Sequence, residues 1–283
     1  MNSGGNEDES TVSALTRATV ISNTRAAEGL FILKARVFGW MTGNPAPGQF
    51  LMLRISDGDD PLLSRPFGIS GFHMGEDGPE IELIYRTVGR GTTAMAAWVP
   101  GREVRFLGPL GHGFPLPPEG SRSILIAGGV GLPPLLALAR RMAELGREGE
   151  VTLFYGEANA GRMMDLGEGK DLQVRLHTCT EDGSGGLKGL VTDLLISLGD
   201  LEGAHLYVCG PNPMMSAVHR LAEGKCLTSH YSLESRMACG FGVCMGCAVE
   251  VSAGDRAEYV RVCREGPVFP GEILVEESFP ERV

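Results

Sequence analysis

The stretch ILIAGGVGLPPLLALARRMAELG, residues 124–146, runs from an apolar strand through a glycine turn into an amphipathic helix. Its two prolines, Pro133 and Pro134, sit where a first helical turn tolerates them. Working outward, VTLFYG (151–156), LQVRLHT (172–178) and HLYVCG (205–210) read as further apolar strands. GLVTDLLISLG (189–199) and PNPMMSAVHRLAEG (211–224) read as the helices that connect and follow them. Strands alternating with helices imply a parallel, doubly wound sheet, here assigned to residues 118–225.

Upstream the period changes. RATVISNTR, GLFILKARVF, GQFLMLRIS, EIELIYRTV and EVRFLGPLG are short strands bounded by the turn signals NPAPG, DGDDP and GEDGP. Residues 16–117 therefore read as an all-β unit, expected to be a small antiparallel barrel, with PLPPEGSR (115–122) as a stiff hinge. Residues 226–283 form a short, cysteine-bearing module in which AVEVSAGDRAEYVRVC reads as a β-hairpin. So small a segment buries little core of its own, and a metal centre would help hold it together. Residues 1–15, polar and acidic, are expected to be a disordered tail.

The chain has 283 residues, 43% of them hydrophobic, enough for two compact domains and an appended module. A formal charge of -10 argues against a nucleic-acid partner, which needs a basic face. The N-terminus lacks the basic start and apolar core of a secretory signal, and the longest apolar run is too short and too interrupted to span a membrane. A soluble, cytoplasmic protein without a membrane partner is the expectation.

Of seven cysteines, four lie close together as Cys239-x4-Cys244-x2-Cys247-x15-Cys263. In a cytoplasmic chain such clustering favours metal ligation over disulfides. The first three members match the C-x4-C-x2-C run of plant-type two-iron ferredoxins, whereas a structural zinc site more usually shows two C-x2-C knuckles. The glycines between the thiols let the backbone turn N–H groups toward sulfur. The spacing thus favours a [2Fe-2S] cluster over zinc or inert thiols. Cys179, Cys209 and Cys226 read as small buried residues.

Two stretches of the β unit carry chemistry, RPFGIS from Arg65 and IYRTVGRGT from Ile84. Arg65 and Arg86 suit a pyrophosphate, with Gly89, Gly91 and Thr92 adding backbone and hydroxyl donors; the alternative is solvated strand-end charges beside an ordinary turn. In the α/β unit Gly128, Gly129 and Gly131 lie between strand and helix, where a phosphate meets free N–H groups and the helix dipole. Glu157, ending the next strand, is placed to bind ribose hydroxyls and so favour NAD over NADP, although Arg162 nearby works against that. Cys209, in VCGPNPMM, is either a nicotinamide-side residue or a small side chain that fits.

The order of R-P-F-x-I-S, I-Y-R-x-V-G-x-G-T, G-P-L-G-x-G-F, A-G-G-V-G-x-P-P-L, C-G-P-N-P-M and a terminal cysteine cluster resembles the ferredoxin-reductase-like superfamily. More narrowly, HTCTEDGSGGLKGLVTD, SLESRMACGFGVCMGC and VCREGPVF resemble the electron-transfer subunits of NAD-dependent dihydroorotate dehydrogenase, over residues 17–275. The resemblance implies an FAD-binding Greek-key barrel, a Rossmann-like NAD domain and a [2Fe-2S] module on Cys239, Cys244, Cys247 and Cys263. The implied flavin contacts are Arg65, Pro66, Phe67, Gly68, Ile84, Tyr85, Arg86, Gly91 and Thr92. Gly68 stands where the family commonly has serine.

The resemblance also implies a heterotetramer with an FMN-containing catalytic subunit, in pyrimidine biosynthesis, and electrons passed through cluster and FAD to NAD+. No paired carboxylates or nucleophile elbow stand out, so no catalytic residue is assigned here and dihydroorotate oxidation would fall to the partner. The alternatives are a reductase subunit of another complex, of hydrogenase, sulfite reductase or bifurcating type, and a zinc-stabilised binding subunit without enzymatic activity.

Overall fold

The structure, a computed structural model, describes residues 15–39, 43–147, 151–172, 174–254 and 256–279. Apart from Leu15, the tail expected over residues 1–15 lies outside them. No helix among the described residues is long and apolar enough to cross a membrane.

Six strands close an antiparallel Greek-key barrel in the order β1-β2-β5-β4-β3-β6: β1 (Leu15–Ala27), β2 (Leu30–Phe38), β3 (Phe50–Arg54), β4 (Arg65–Gly75), β5 (Gly78–Arg86) and β6 (Glu103–Leu110). The RPFGIS stretch, read above only as a ligand motif, is the start of β4. A short helix, α1 (Arg90–Ala96), follows β5 where the sequence pattern suggested a simple turn.

Beyond the hinge, β7 (Arg122–Gly128), α2 (Leu132–Glu144), β8 (Val151–Glu157), β9 (Arg175–Thr180), β10 (Leu187–Lys188), α3 (Val191–Leu198), β11 (Ala204–Cys209), α4 (Asn212–Ala222), β12 (Thr228–Ser232) and β15 (Val268–Pro270) make the α/β unit. Its sheet runs β10-β9-β8-β7-β11-β12-β15, parallel except that β15 pairs antiparallel with β12. The hairpin of β13 (Ala248–Ala253) and β14 (Arg256–Arg261) stands apart as a two-stranded sheet. The expected start of the cysteine module at residue 226 therefore does not coincide with an edge of the large sheet, because β12 and β15 both belong to it.

Strand alternation divides the core. On β7, Leu125 and Ala127 pack with α2, while Ile124 and Ile126 pack with α3 and α4, as a sheet covered on both faces requires. On β3, Leu51 and Leu53 face the barrel interior, but Phe50 and Met52 face outward into the core that also holds Cys247 and Cys263. Burying one such side chain contributes about 1.5–3 kcal/mol. The outward face of β3 is thus the floor on which the cysteine module sits.

Candidate functional site

A cleft of about 440 Å³ opens between barrel and α/β unit. All nine expected flavin residues line it: Arg65 to Gly68 on β4, Ile84 to Arg86 on β5, and Gly91 and Thr92 on α1. Cys209 lines it from the end of β11, and Val130 and Pro134 from the turn into α2. A further wall is Ser232 to Ser235 and Met237, the segment that runs directly into Cys239.

The nine residues do not serve alike. Arg65 donates from Nη1 to the Leu63 carbonyl at 2.6 Å and remains only half-buried, so its other donors are available to an anion. Thr92 Oγ1 accepts from the amides of Val88 and Gly89 at 2.9 and 3.2 Å and shapes the loop before α1. Tyr85 turns its ring into the barrel between Phe31 and Phe67 and donates its hydroxyl to Asn23 at 3.0 Å. Burial pushes that phenol up to about 12, opposed by the Asn23 hydrogen bond.

Arg86 departs from the expected pyrophosphate role. Its Nη1 donates to the Glu28 carbonyl at 2.8 Å, and its Nη2 to Glu157 Oε1 at 2.5 Å and to the Arg162 carbonyl at 3.1 Å. With 6% of its surface exposed, its guanidinium is engaged within the protein. Glu157 is correspondingly not presented to a ribose: its carboxylate also accepts from the Tyr155 hydroxyl at 3.2 Å and lies 3.6 Å from Arg162 Nε.

Gly128, Gly129 and Gly131 form the turn from β7 into α2, beside the cleft rather than on its wall. A methyl group on Gly131 would fall 2.2 Å from the Cys209 carbonyl, so the glycine lets the β7 and β11 turns meet. No side chain caps α2, but Pro133 and Pro134 have no N–H, so its first turn offers an anion fewer donors than the glycine motif suggested. Cys209 is buried, and burial followed by the nearby Glu234 carboxylate pushes its thiol far above the usual range. Glu234 is exposed to the cleft yet crowded by protein, and desolvation raises its carboxyl. Sequence reasoning missed it as a site residue, although SLESRM stood in the family-like stretch.

Five residues beyond Glu234, the cysteine loop begins. Gly240 and Gly242 have φ of 79° and 89°, and Met245, with φ 59°, is the one non-glycine with positive φ among the described residues. Arg261 Nη1 donates to the Gly242 carbonyl at 2.8 Å and ties the loop to β14. Burial opposes ionisation of Cys239, but the amides of Cys244, Phe241 and Val243 and the Cys244 thiol outweigh it and draw the Cys239 thiol down to about 6. Cys263 is pushed up to about 12 by burial and by Cys247 and Cys239, with only the Gly242 amide opposing. Cys247 and Cys263 are buried, and the Cys263 amide donates to Cys247 Sγ at 3.5 Å; Cys239 is half-buried and Cys244 exposed, with the Gly246 amide donating to Cys244 Sγ at 3.5 Å. Among the described residues no group of three converges on a one-ion site. Four cysteines with backbone amides aimed at sulfur suit an iron-sulfur cluster, and their spacing is that of two-iron sites.

Residues 234–275 match the family model of the iron-sulfur cluster binding domain of dihydroorotate dehydrogenase B, and residues 125–220 that of the oxidoreductase NAD-binding domain. The dihydroorotate dehydrogenase B (NAD(+)) electron transfer subunit of Shouchella clausii is 38% identical over 264 residues, 92% of this chain and 98% of that one. The subunit of the same name from Bacillus caldolyticus is 39% identical over 240 residues, 81% of this chain and 87% of that one. Among solved structures, an NADH-dependent reduced ferredoxin-NADP oxidoreductase superposes with a TM-score of 0.76 at 24% identity, covering 98% of this chain and 93% of that one. The ferredoxin reductase of carbazole 1,9a-dioxygenase gives 0.64 at 24%, covering 75% and 65%. These two likenesses concern the fold.

Proposed function

We propose, for a chain that belongs to the family of dihydroorotate dehydrogenase B electron transfer subunits, that it carries electrons from an FMN-containing catalytic subunit to NAD+ as dihydroorotate is oxidised in UMP synthesis. The observation that carries this reading is the single cleft whose walls are β4, β5, the end of β11 and the segment leading into Cys239. A redox relay needs such convergence, because its centres must lie close together.

Cys239, Cys244, Cys247 and Cys263 would hold the [2Fe-2S] cluster, and the β4, β5 and α1 residues the FAD. When bound, FAD supplies the exchange between one-electron and two-electron chemistry that neither cluster nor nicotinamide provides alone. The chain's own residues bind and orient. Arg65 offers free guanidinium donors to a diphosphate, and Phe67 and Pro134 give the cleft apolar walls that exclude water. Cys209, kept a neutral thiol by burial, adds no charge beside a nicotinamide ring. Proton abstraction from dihydroorotate belongs to the catalytic subunit, and the assembly is two copies of each chain.

The test is co-expression with an FMN-containing dihydroorotate dehydrogenase subunit. A stable complex of two of each chain that forms NADH on addition of dihydroorotate is expected. Absence of both the complex and the NADH sinks the proposal.

A further inference from the structure

The proposed function requires a dinucleotide on the α/β unit to meet a flavin on the barrel, so something must fix the angle between them. We infer that β5 is pinned to the α/β unit by two ion pairs of opposite polarity, Glu82 with Arg140 and Arg86 with Glu157, and that these are positioning residues for transfer between flavin and nicotinamide. This rests on the proposed function for its consequence, but not for its geometry.

Along β5, Ile81, Leu83 and Tyr85 fill the barrel, while Ile84 packs into the core built by α2 and β8. Glu82 and Arg86 share the outward face with Ile84, one on each side of it. Arg140, on α2, donates from Nη1 to Glu82 Oε1 at 2.8 Å and to the Ser70 carbonyl at 2.7 Å. That carbonyl is available because the β4–β5 register slips between Ile69 and Gly71, and a methyl group on Gly71 would come within 2.8 Å of Arg140 Nη1. At the other end Arg86 reaches Glu157 on β8, and the Glu28 amide donates to the Gly161 carbonyl at 2.8 Å. Glu82, Arg86 and Glu157 are all buried.

The polarity is crossed: the barrel supplies the anion at one point and the cation at the other. A slip or rotation between the units would bring like charges together, so the arrangement selects one docking angle. The Arg86–Glu157 pair is buried, whereas the Arg140 side chain is 38% exposed; in neither setting does an ion pair add much net stability over apolar packing, and fixing a single arrangement is the role left to them here.

The full chain, purified with its flavin, is to be compared with Arg140→Gln, Glu82→Gln and the conservative Arg140→Lys. The two glutamine variants should keep flavin content and bind NADH within about twofold of wild type, yet show stopped-flow flavin reduction slowed on the order of tenfold, the scale of a small misplacement. Arg140→Lys should recover most of the rate, and the double glutamine variant should be no slower than either single one. Small-angle scattering without nucleotide should show the glutamine variants more extended. Glu157→Gln should slow transfer without changing the preference for NADH over NADPH.

Wild-type rates in the glutamine variants, unchanged scattering, or a raised NADH KM with new NADPH use in Glu157→Gln would each overturn the inference. If NADH does not reduce the wild-type flavin, the functional reading falls instead, and scattering alone decides whether the pairs hold the angle.

Discussion

Gly242 combines a φ of 89° with a neighbour, Arg264 Cδ, only 2.8 Å from where a methyl group would stand. Alanine there must strain the backbone and displace Arg264, so Gly242→Ala should lose cluster absorbance while flavin content stays near wild type. Gly68 is the contrasting case. A methyl group on it would lie 3.7 Å from Pro134 Cδ, an ordinary contact, so Gly68→Ser should fold, shift stability by less than about 1 kcal/mol and keep FAD, as unfolding and flavin titration would report. Cys244, exposed at the loop tip, is the proposed ligand whose loss disturbs packing least. In Cys244→Ser, transfer between catalytic subunit and NAD+ should fall at least a hundredfold, while NADH oxidation by a small artificial acceptor should survive. The four thiols and their spacing were legible in the sequence. The commitment of Arg86 and Glu157 to each other was not, because their strands lie far apart in sequence and meet only across the unit boundary.

At the scale of elements, residues 124–146 gave a strand, turn and helix close to β7 and α2, since the period change and the prolines are local signals. β9 begins at Arg175 rather than Leu172, and α1 and β4 went unread as elements because glycine and proline interrupt their patterns. β11 and β12 carry a further consequence. His205 is buried with Nδ1 2.7 Å from Thr228 Oγ1, and on the neighbouring strand His230 Nδ1 has no hydrogen-bond partner. Burial lowers both imidazoles below the usual histidine range, and for His230 the nearby His205 adds to this while Glu272 opposes it. The unfolded chain therefore binds protons that the folded chain refuses, so stability falls as pH drops through the unfolded value of 6.5. Glu234, with its raised carboxyl, acts in the opposite sense, gaining stability as pH falls through its folded-state value. Urea unfolding between about pH 7.5 and 5.5 should show a falling midpoint, and His230→Gln should flatten that dependence.

Across the whole molecule, the three cores do not follow the three units. One joins Phe50 and Met52 of the barrel to α3, α4, Cys247 and Cys263, and another joins Leu30 and Ile84 to α2 and β8. Shared cores unfold together, so the holoprotein should melt in one transition monitored by flavin fluorescence and by far-ultraviolet circular dichroism; two separated transitions would contradict this. A cluster-free chain should keep its main sheet, because β12 and β15 are held by strand pairing rather than by the thiols. Proteolysis of such a chain should start in the loop between Cys239 and Cys247.

What the sequence by itself determined were the features written in short range: a glycine turn between strand and helix, alternating strands upstream, and a thiol spacing that favours two irons over one zinc. Each is a matter of backbone period or ligand geometry over a few residues. Only the tertiary structure decided which arginine remains open to a diphosphate and which is spent on a carboxylate, that β15 returns to the main sheet, and that Glu234 faces the cleft. Those outcomes depend on packing, desolvation and charge pairing between residues tens of positions apart in the chain, and the price of burying a charge is set by partners that local sequence does not name.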